Sequence, residues 1–399
     1  MSITSVVRMF IASLILIWGL AFCVFLRGAK DGAETPRSVA ASSFQKRLHR
    51  SELSRSGYDK FKEVAGRLAQ LEPAQILEQL ERDDPFGVRA VERRLLADKT
   101  RKNATATAHL STMFSCPSSR ITIPDRRNHT ALQAFRSQRP DSVLFFQHLR
   151  KAGGTHFCTL AQHNLPKHAL PSYYCMPDYH WQADAATKPR YHRCAGCLTQ
   201  WTNEEIAQNM PPHRIAGNEW DRFEERFFEL PNTIFVTSFR QPVDRVLSQF
   251  RFECVEDRGC KFKDPGLWWN HRQDLHNIYT ATFSDTKQIG KMMSSPHKRA
   301  QAVERALDVL TGFHLVNVLE WLPYSTNMVR EVLGFTHEVP NAVRPHIQQA
   351  PRQDTTSWKP ENHLTPEQYQ SFCKDLALDA ILTDAARRIF LERVVCREY

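Results

Sequence analysis

Lys151-Ala152-Gly153-Gly154-Thr155 follows the apolar run Val143-Leu144-Phe145-Phe146 and precedes a segment of helical character, Thr155 to Gln162. A strand, a glycine turn with a lysine and a helix start together make an anion cradle. Backbone N–H groups at the helix N-terminus point at the anion, and the glycines let the backbone approach it. In nucleoside triphosphate sites the lysine comes after the glycines, as G-x-x-x-x-G-K-[ST]. Here it comes before them, which disfavours ATP or GTP and points to another phosphorylated ligand. The plainer reading is an ordinary strand–helix turn with a solvated lysine.

A second element weighs against that plainer reading. The run Thr-Ile-Phe-Val-Thr-Ser-Phe, 233–239, is dense in β-branched and aromatic residues, and Arg240-Gln241-Pro242-Val243-Asp244-Arg245 follows it. Pro242 suits the first turn of a helix, which would bury Val243, Val246, Leu247 and Phe250. Arg240 then sits where a strand meets a helix, and Ser248 lies two turns in. An arginine fork and a hydroxyl there suit a second phosphate. Ligands of open parallel sheets bind at the carboxyl ends of the strands, where both turns fall.

With both motifs in view, the chain resembles the Golgi membrane-bound sulfotransferases, especially the heparan sulfate 2-O- and 6-O-like carbohydrate enzymes. Phe146-Gln147-His148-Leu149-Arg150-Lys151-Ala152-Gly153-Gly154-Thr155 is similar to the family motif that binds the 5′-phosphosulfate of PAPS (3′-phosphoadenosine 5′-phosphosulfate). Arg240 to Arg245 with Ser248 is similar to the motif that binds the 3′-phosphate. Asn277-Ile278-Tyr279, Val318-Leu319-Glu320 and Leu376-Ala377-Leu378-Asp379 resemble later landmarks, so the likeness covers about residues 141–395. Ala152 stands where the family commonly has Thr or Ser, Gln241 where it has Asp, and His156 where it often has a hydroxyl residue.

The resemblance implies a three-layer parallel sheet of the P-loop nucleotide-kinase-like type and sulfuryl transfer from PAPS to a hydroxyl, releasing 3′,5′-ADP. The acceptor it implies is a glycan, with a tyrosine on a secreted protein as the alternative. No metal is required. Lys151 would neutralise charge on the bridging oxygen. Lys151, Ala152, Gly153, Gly154, Thr155 and His156 would line the 5′ side, and Arg240 and Ser248 the 3′-phosphate. A base must take the acceptor proton. Glu219, in Ile215-Ala216-Gly217-Asn218-Glu219-Trp220, is the first candidate, and His156 and His163 are its rivals. Two other classes compete: a metal-dependent Golgi glycosyltransferase, whose Asp-x-Asp element is not visible, and a non-catalytic glycan-binding protein that retains the fold.

The elements that must position these residues read as α/β. Strand-like runs at 142–148 and 233–239 each lead into a helix, which argues for a parallel sheet. Residues 298–312, 320–333 and 365–395 read as further helices. Phe61, Val64, Leu68 and Leu71, then Val88, Val91, Leu95 and Leu96, recur at helical spacing. Residues 43–100 therefore read as a helical stem able to self-associate, or as helices packed on the main domain. Residues 101–140 read as polar and irregular.

Met9 to Leu26 is an apolar run of about 18 residues, just enough to span a bilayer. It is long for a cleavable signal peptide, so an uncleaved anchor is expected. Arg8 on one side and Arg27 with Lys30 on the other leave the positive-inside rule undecided. The division expected is tail 1–8, anchor 9–26, linker and stem 27–140, and lumenal domain 141–399, in a type II protein of the Golgi membrane. Sequons at Asn103 and Asn128 and nine cysteines beyond the anchor suit an oxidising compartment.

Cys254 and Cys260 suggest a local disulfide, and Cys158 is expected to be the spare thiol. Cys194 and Cys197 with His192 read as disulfide cysteines before half a zinc site. Trp268-Trp269 reads as core packing before sugar stacking. The cluster Lys287, Lys291, His297, Lys298 and Arg299 reads as a solvated face before a glycan-docking one. The net charge of +10 suits an anionic partner; the resemblance selects nucleotide, glycan and membrane, and gives nucleic acid no role.

Overall fold

The computed structural model describes residues 57–97, 106–117, 121, 127–171, 175–176, 197–210, 212–219, 221–256, 260–339 and 359–397. The apolar run 9–26, the Asn103 sequon, His192 and Cys194 lie outside them. Among the described residues no helix is long and apolar enough to cross a membrane.

Four parallel strands form the sheet: β1 (Val143–Gln147), β2 (Ile215–Asn218), β3 (Thr233–Phe239) and β4 (Leu315–Val318), in the order β2-β1-β3-β4. Every residue of all four is buried, as expected where both faces of a sheet are covered. From β1 the chain steps to one side to form β2, then crosses to the other side for β3 and β4. The direction of winding therefore reverses between β1 and β3. A crevice at the carboxyl ends of those two strands is the ligand position such a reversal creates.

The helices that follow the strands begin where the turns require. α6 (Gly154–Asn164) follows β1, and α7 (Pro242–Phe250) follows β3 with proline in its first turn. The downstream helices include α8 (Ile278–Phe283), α9 (Pro296–Thr311), α10 (Thr326–Leu333), α11 (Pro366–Asp375) and α12 (Ala377–Cys396). α12 is buried on nearly every side, so it runs through the core.

Before the sheet come α1 (Gly57–Gln70), α2 (Pro73–Asp83), α3 (Arg89–Ala97), α4 (Ala106–Met113) and α5 (His129–Arg136). Residues 101–140 are therefore not irregular throughout. Asn128 caps α5 by accepting a hydrogen bond from the Ala131 N–H, a start signal masked by the polar surroundings. The helices of 57–97 are not free-standing, because their apolar faces join the core that reaches to Val394. That core runs across the division expected near residue 140.

α1 packs closely along α9. The Glu304 carboxylate lies over Gly66, where a Cβ would have to displace it. Lys62 pairs with Asp308 at 2.6 Å. Arg299, expected on a solvated face, is buried and donates to the carbonyls of Ala69, Gln70 and Leu71. It thereby satisfies orphan acceptors at the C-terminus of α1. Lys287, Lys291, His297 and Lys298 are exposed.

Three disulfides occur among the described residues: Cys116–Cys396, Cys158–Cys175 and Cys254–Cys260. The local Cys254–Cys260 link is as expected. Cys158 is not the spare thiol. It faces the core, but Cys175 meets it there, because the Cys175 carbonyl accepts from Gly217 at the edge of β2. Cys373, buried in α11, belongs to none of the three. Trp268 and Trp269 are buried with Phe250 and Phe372 in a smaller core, so their surface is occupied by packing.

Candidate functional site

The turn after β1 is shaped by backbone geometry that few residues tolerate. Lys151 has φ of 63° and Gly153 has φ of 92°. The left-handed region is open to glycine and costs other residues roughly 1 kcal/mol. Gly153 is the N-cap of α6 and has no side chain to cap with, so the first N–H groups of the helix are left for a ligand. Ala152 departs from its expected role. Its side chain is fully buried and its N–H donates to the Leu149 carbonyl at 3.1 Å. It fixes the turn and presents nothing to an anion, which also explains why a methyl suffices there.

The Lys151 ammonium lies over the Phe252 ring, 4.5 Å from its centroid. Burial lowers its pKa, Glu256 opposes that, and Arg240 and Arg150 add to the fall. Arg240, one residue past β3, donates from Nη1 to the Lys151 carbonyl at 3.3 Å. The two turns are thus joined across the reversal point, with Arg150, Lys151 and Arg240 in one electrostatic cluster.

The Arg240 turn is braced from behind. Tyr279 Oη donates to the Arg240 carbonyl at 3.0 Å, Gln241 N–H donates to Glu320 Oε1 at 2.8 Å, and Arg387 Nη2 donates to Gln241 Oε1 at 3.2 Å. Asp379 accepts from the N–H groups of Tyr279 and Thr280 and from the Thr280 hydroxyl. It therefore caps α8, whose own N-cap, Asn277, makes no side-chain cap bond. Asn277 Oδ1 instead accepts from Leu378 and Asp379. The three landmark segments, which carried no roles in the sequence, converge on the back of this one turn.

Ser248 is half-buried on α7, with Asp244 at i+4 spacing between it and Arg240. Burial pushes the Asp244 carboxyl up to about 6, with Arg240 opposing and Glu320 and Glu361 adding to the rise. Ionised, this carboxylate opposes an anion at the Arg240–Ser248 face.

Glu219 follows β2 and is 15% exposed, with Oε1 3.8 Å from Arg150 Nε and Oε2 3.9 Å from His148 Nδ1. His156 and His163 lie on the exposed side of α6. Of the candidate bases, Glu219 alone makes a contact with the basic cluster among the described residues. Sequence reasoning passed over His148, Phe252 and Arg387. For His148 the signal was present: it stands two residues past Phe146 in an alternating run and so shares its face. Among the described residues no group of three or more His, Cys, Asp or Glu side chains could hold a metal ion.

Compared with protein-family models, with curated proteins and with solved structures, the chain finds no match.

Proposed function

We propose that this chain is a PAPS-dependent sulfotransferase that moves a sulfuryl group to a hydroxyl acceptor. One observation carries the reading: two anion-ready strand-to-helix turns flank the reversal between β1 and β3, and Arg240 ties them together. Adjacent strands lie about 4.8 Å apart, so one ligand bearing two phosphate groups can span both turns. A ligand with a 5′-phosphosulfate and a 3′-phosphate has that form. The likeness to the sulfotransferase motifs adds to this, as does the parallel sheet, which we read as three-layered and of the nucleotide-kinase-like type.

In the proposed reaction the acceptor oxygen attacks sulfur in line, the bond from sulfur to the bridging phosphate oxygen breaks, and 3′,5′-ADP leaves. PAPS supplies the activated sulfuryl group. The chain supplies position and charge. The α6 N-terminal N–H groups and the Thr155 hydroxyl hold the 5′-phosphate, and Arg240 and Ser248 hold the 3′-phosphate. Lys151 leaves the face of Phe252 to meet the charge that grows on the bridging oxygen. Glu219, beside the lysine turn, takes the acceptor proton. The acceptor we favour is a glycan hydroxyl, and the setting a Golgi membrane protein of type II orientation held by residues 9–26.

The test is thermal melting and transfer. Residues 43–399 should be stabilised by 3′,5′-ADP and far less by ATP. Radiolabelled PAPS offered with desulfated glycans and tyrosine peptides should label one class of acceptor. Equal stabilisation by both nucleotides would overturn the cosubstrate. Stabilisation by 3′,5′-ADP without transfer to any acceptor would favour the non-catalytic glycan-binding reading.

A further inference from the structure

The sheet register brings together two side chains that the sequence separates by 71 positions. Gln147 pairs with Asn218 in the parallel β1–β2 ladder, and the His148 N–H donates to the Asn218 carbonyl at 3.0 Å. His148 and Glu219 are therefore the next residues in register, and neighbours in register on parallel strands project to the same face.

The His148 ring is held firmly. It stacks on Phe146, with centroids 5.3 Å apart and planes at 11°, and Phe146 packs in turn on Phe157 of α6. A Cβ on Gly154 would overlap the ring, the nearest atom being Nε2. Gly154 therefore has a second reason to be glycine, apart from any anion. Its missing side chain makes the slot that His148 fills.

The two ring nitrogens have different prospects. Nε2 lies beside Gly154 at the start of α6, whereas Nδ1 faces Glu219 Oε2 at 3.9 Å. Through Nδ1 the imidazole can orient the Glu219 carboxylate. The charged groups acting on it are Glu219, Arg150 and Lys151. Burial lowers the His148 pKa, Glu219 opposes, and the two cations add to the fall, so the neutral ring with its proton on Nδ1 suits the arrangement.

We propose that His148 is a positioning residue for Glu219: with the acceptor bound, the Nδ1–H donates to one carboxylate oxygen and aims the other at the acceptor hydroxyl. This rests on the sulfotransferase reading. The present 3.9 Å is longer than a hydrogen bond, and catalytic contacts commonly tighten in the substrate complex. A base misplaced by about 1 Å can lose roughly a hundredfold in rate.

The experiment has two arms. In the first, His148→Phe keeps an aromatic ring on Phe146 but removes the donor, while His148→Asn restores an N–H near the place of Nδ1. Transfer from PAPS should fall roughly 10- to 100-fold in kcat for His148→Phe, with KM for PAPS unchanged, and His148→Asn should recover most of it. Wild-type kcat in His148→Phe, or equal loss in both variants, would overturn the proposal.

The second arm needs no activity and no altered ring. The His148 imidazole is titrated by NMR in the wild-type protein and in Glu219→Gln. Losing the carboxylate that opposes the fall should move the midpoint to lower pH. An unmoved midpoint would refute the pairing. If the wild-type protein neither binds 3′,5′-ADP nor transfers sulfate, the cosubstrate reading fails and the positioning role fails with it, while the titration still decides whether the two side chains are coupled.

Discussion

Arg387→Met is expected to destabilise the protein by roughly 3–5 kcal/mol at neutral pH, the usual cost of removing one partner of a buried ion pair. Arg387 is 2% exposed and lies over the Trp321 ring. Its guanidinium grips Glu92 of α3 with two 2.8 Å contacts and also reaches Asp384 at 3.3 Å. Methionine keeps an unbranched stem in the space. Asp384 retains Arg89 at 2.8 Å, so the loss falls on Glu92 and, to a smaller extent, on the Gln241 side chain that also accepts from Arg387.

Burial already raises the Glu92 pKa, and Arg387 is the main force against it. Without Arg387 the carboxyl rises further. A raised carboxyl pKa penalises the fold at high pH and relieves it as pH falls, so the gap between wild type and variant should narrow on acidification. Urea unfolding followed by tryptophan fluorescence measures it, with Trp321 as a local reporter. Adding Glu92→Gln should return a large share, a coupling of about 2 kcal/mol or more. Were α3 a detached stem, Glu92 would sit in water and the pair would contribute less than about 1 kcal/mol. A loss that small, or no coupling, would refute the single-core account.

Four other outcomes are expected. Lys151→Ala and Lys151→Gly should both lose at least about 100-fold in transfer, and Lys151→Gly should melt higher because glycine accepts the 63° φ without strain. Arg240→Ala should weaken 3′,5′-ADP roughly tenfold or more by calorimetry and cut the preference over 5′-AMP. Asp379 is held at about 6 against an ordinary 3.8, so its contribution to stability should improve as pH falls through 6 towards 4. Asp379→Asn should remove up to roughly 3 kcal/mol of that dependence in urea titrations at several pH values. Cys116→Ser with Cys396→Ser should cost roughly 2–5 kcal/mol, read as a lower melting temperature.

Much of the frame was legible because long apolar runs and turn residues speak locally. Residues 233–239 and Pro242 gave β3 and the start of α7 directly. β2 and β4 were not legible. They are four residues each, too short to stand out, and Gly217 with Asn218 in one and Asn317 in the other interrupt the apolar run. Only pairing with β1 and β3 makes them strands. The lysine and arginine turns were visible as motifs, but the bond from Arg240 to the Lys151 carbonyl was not, because it depends on strand order. His148 was in plain view within the first motif. Its pairing with Glu219 belongs to register, which is a property of two strands. The error over Cys158 has the same origin: its inward direction was foreseeable, but the arrival of Cys175 beside β2 was not.

The Cys116–Cys396 bond spans 280 positions of sequence, and this makes most of the folded body one covalent ring with the Cys158–Cys175 and Cys254–Cys260 loops inside it. A single peptide cut anywhere between those cysteines opens the ring but releases no fragment. A nicked molecule would run as one species on a non-reducing gel and as two after reduction. Both proposed phosphate turns and Glu219 lie within the ring. A molecule cut once in an exposed loop could therefore keep them together, because the ends on either side of the cut remain tethered through the sulfur atoms.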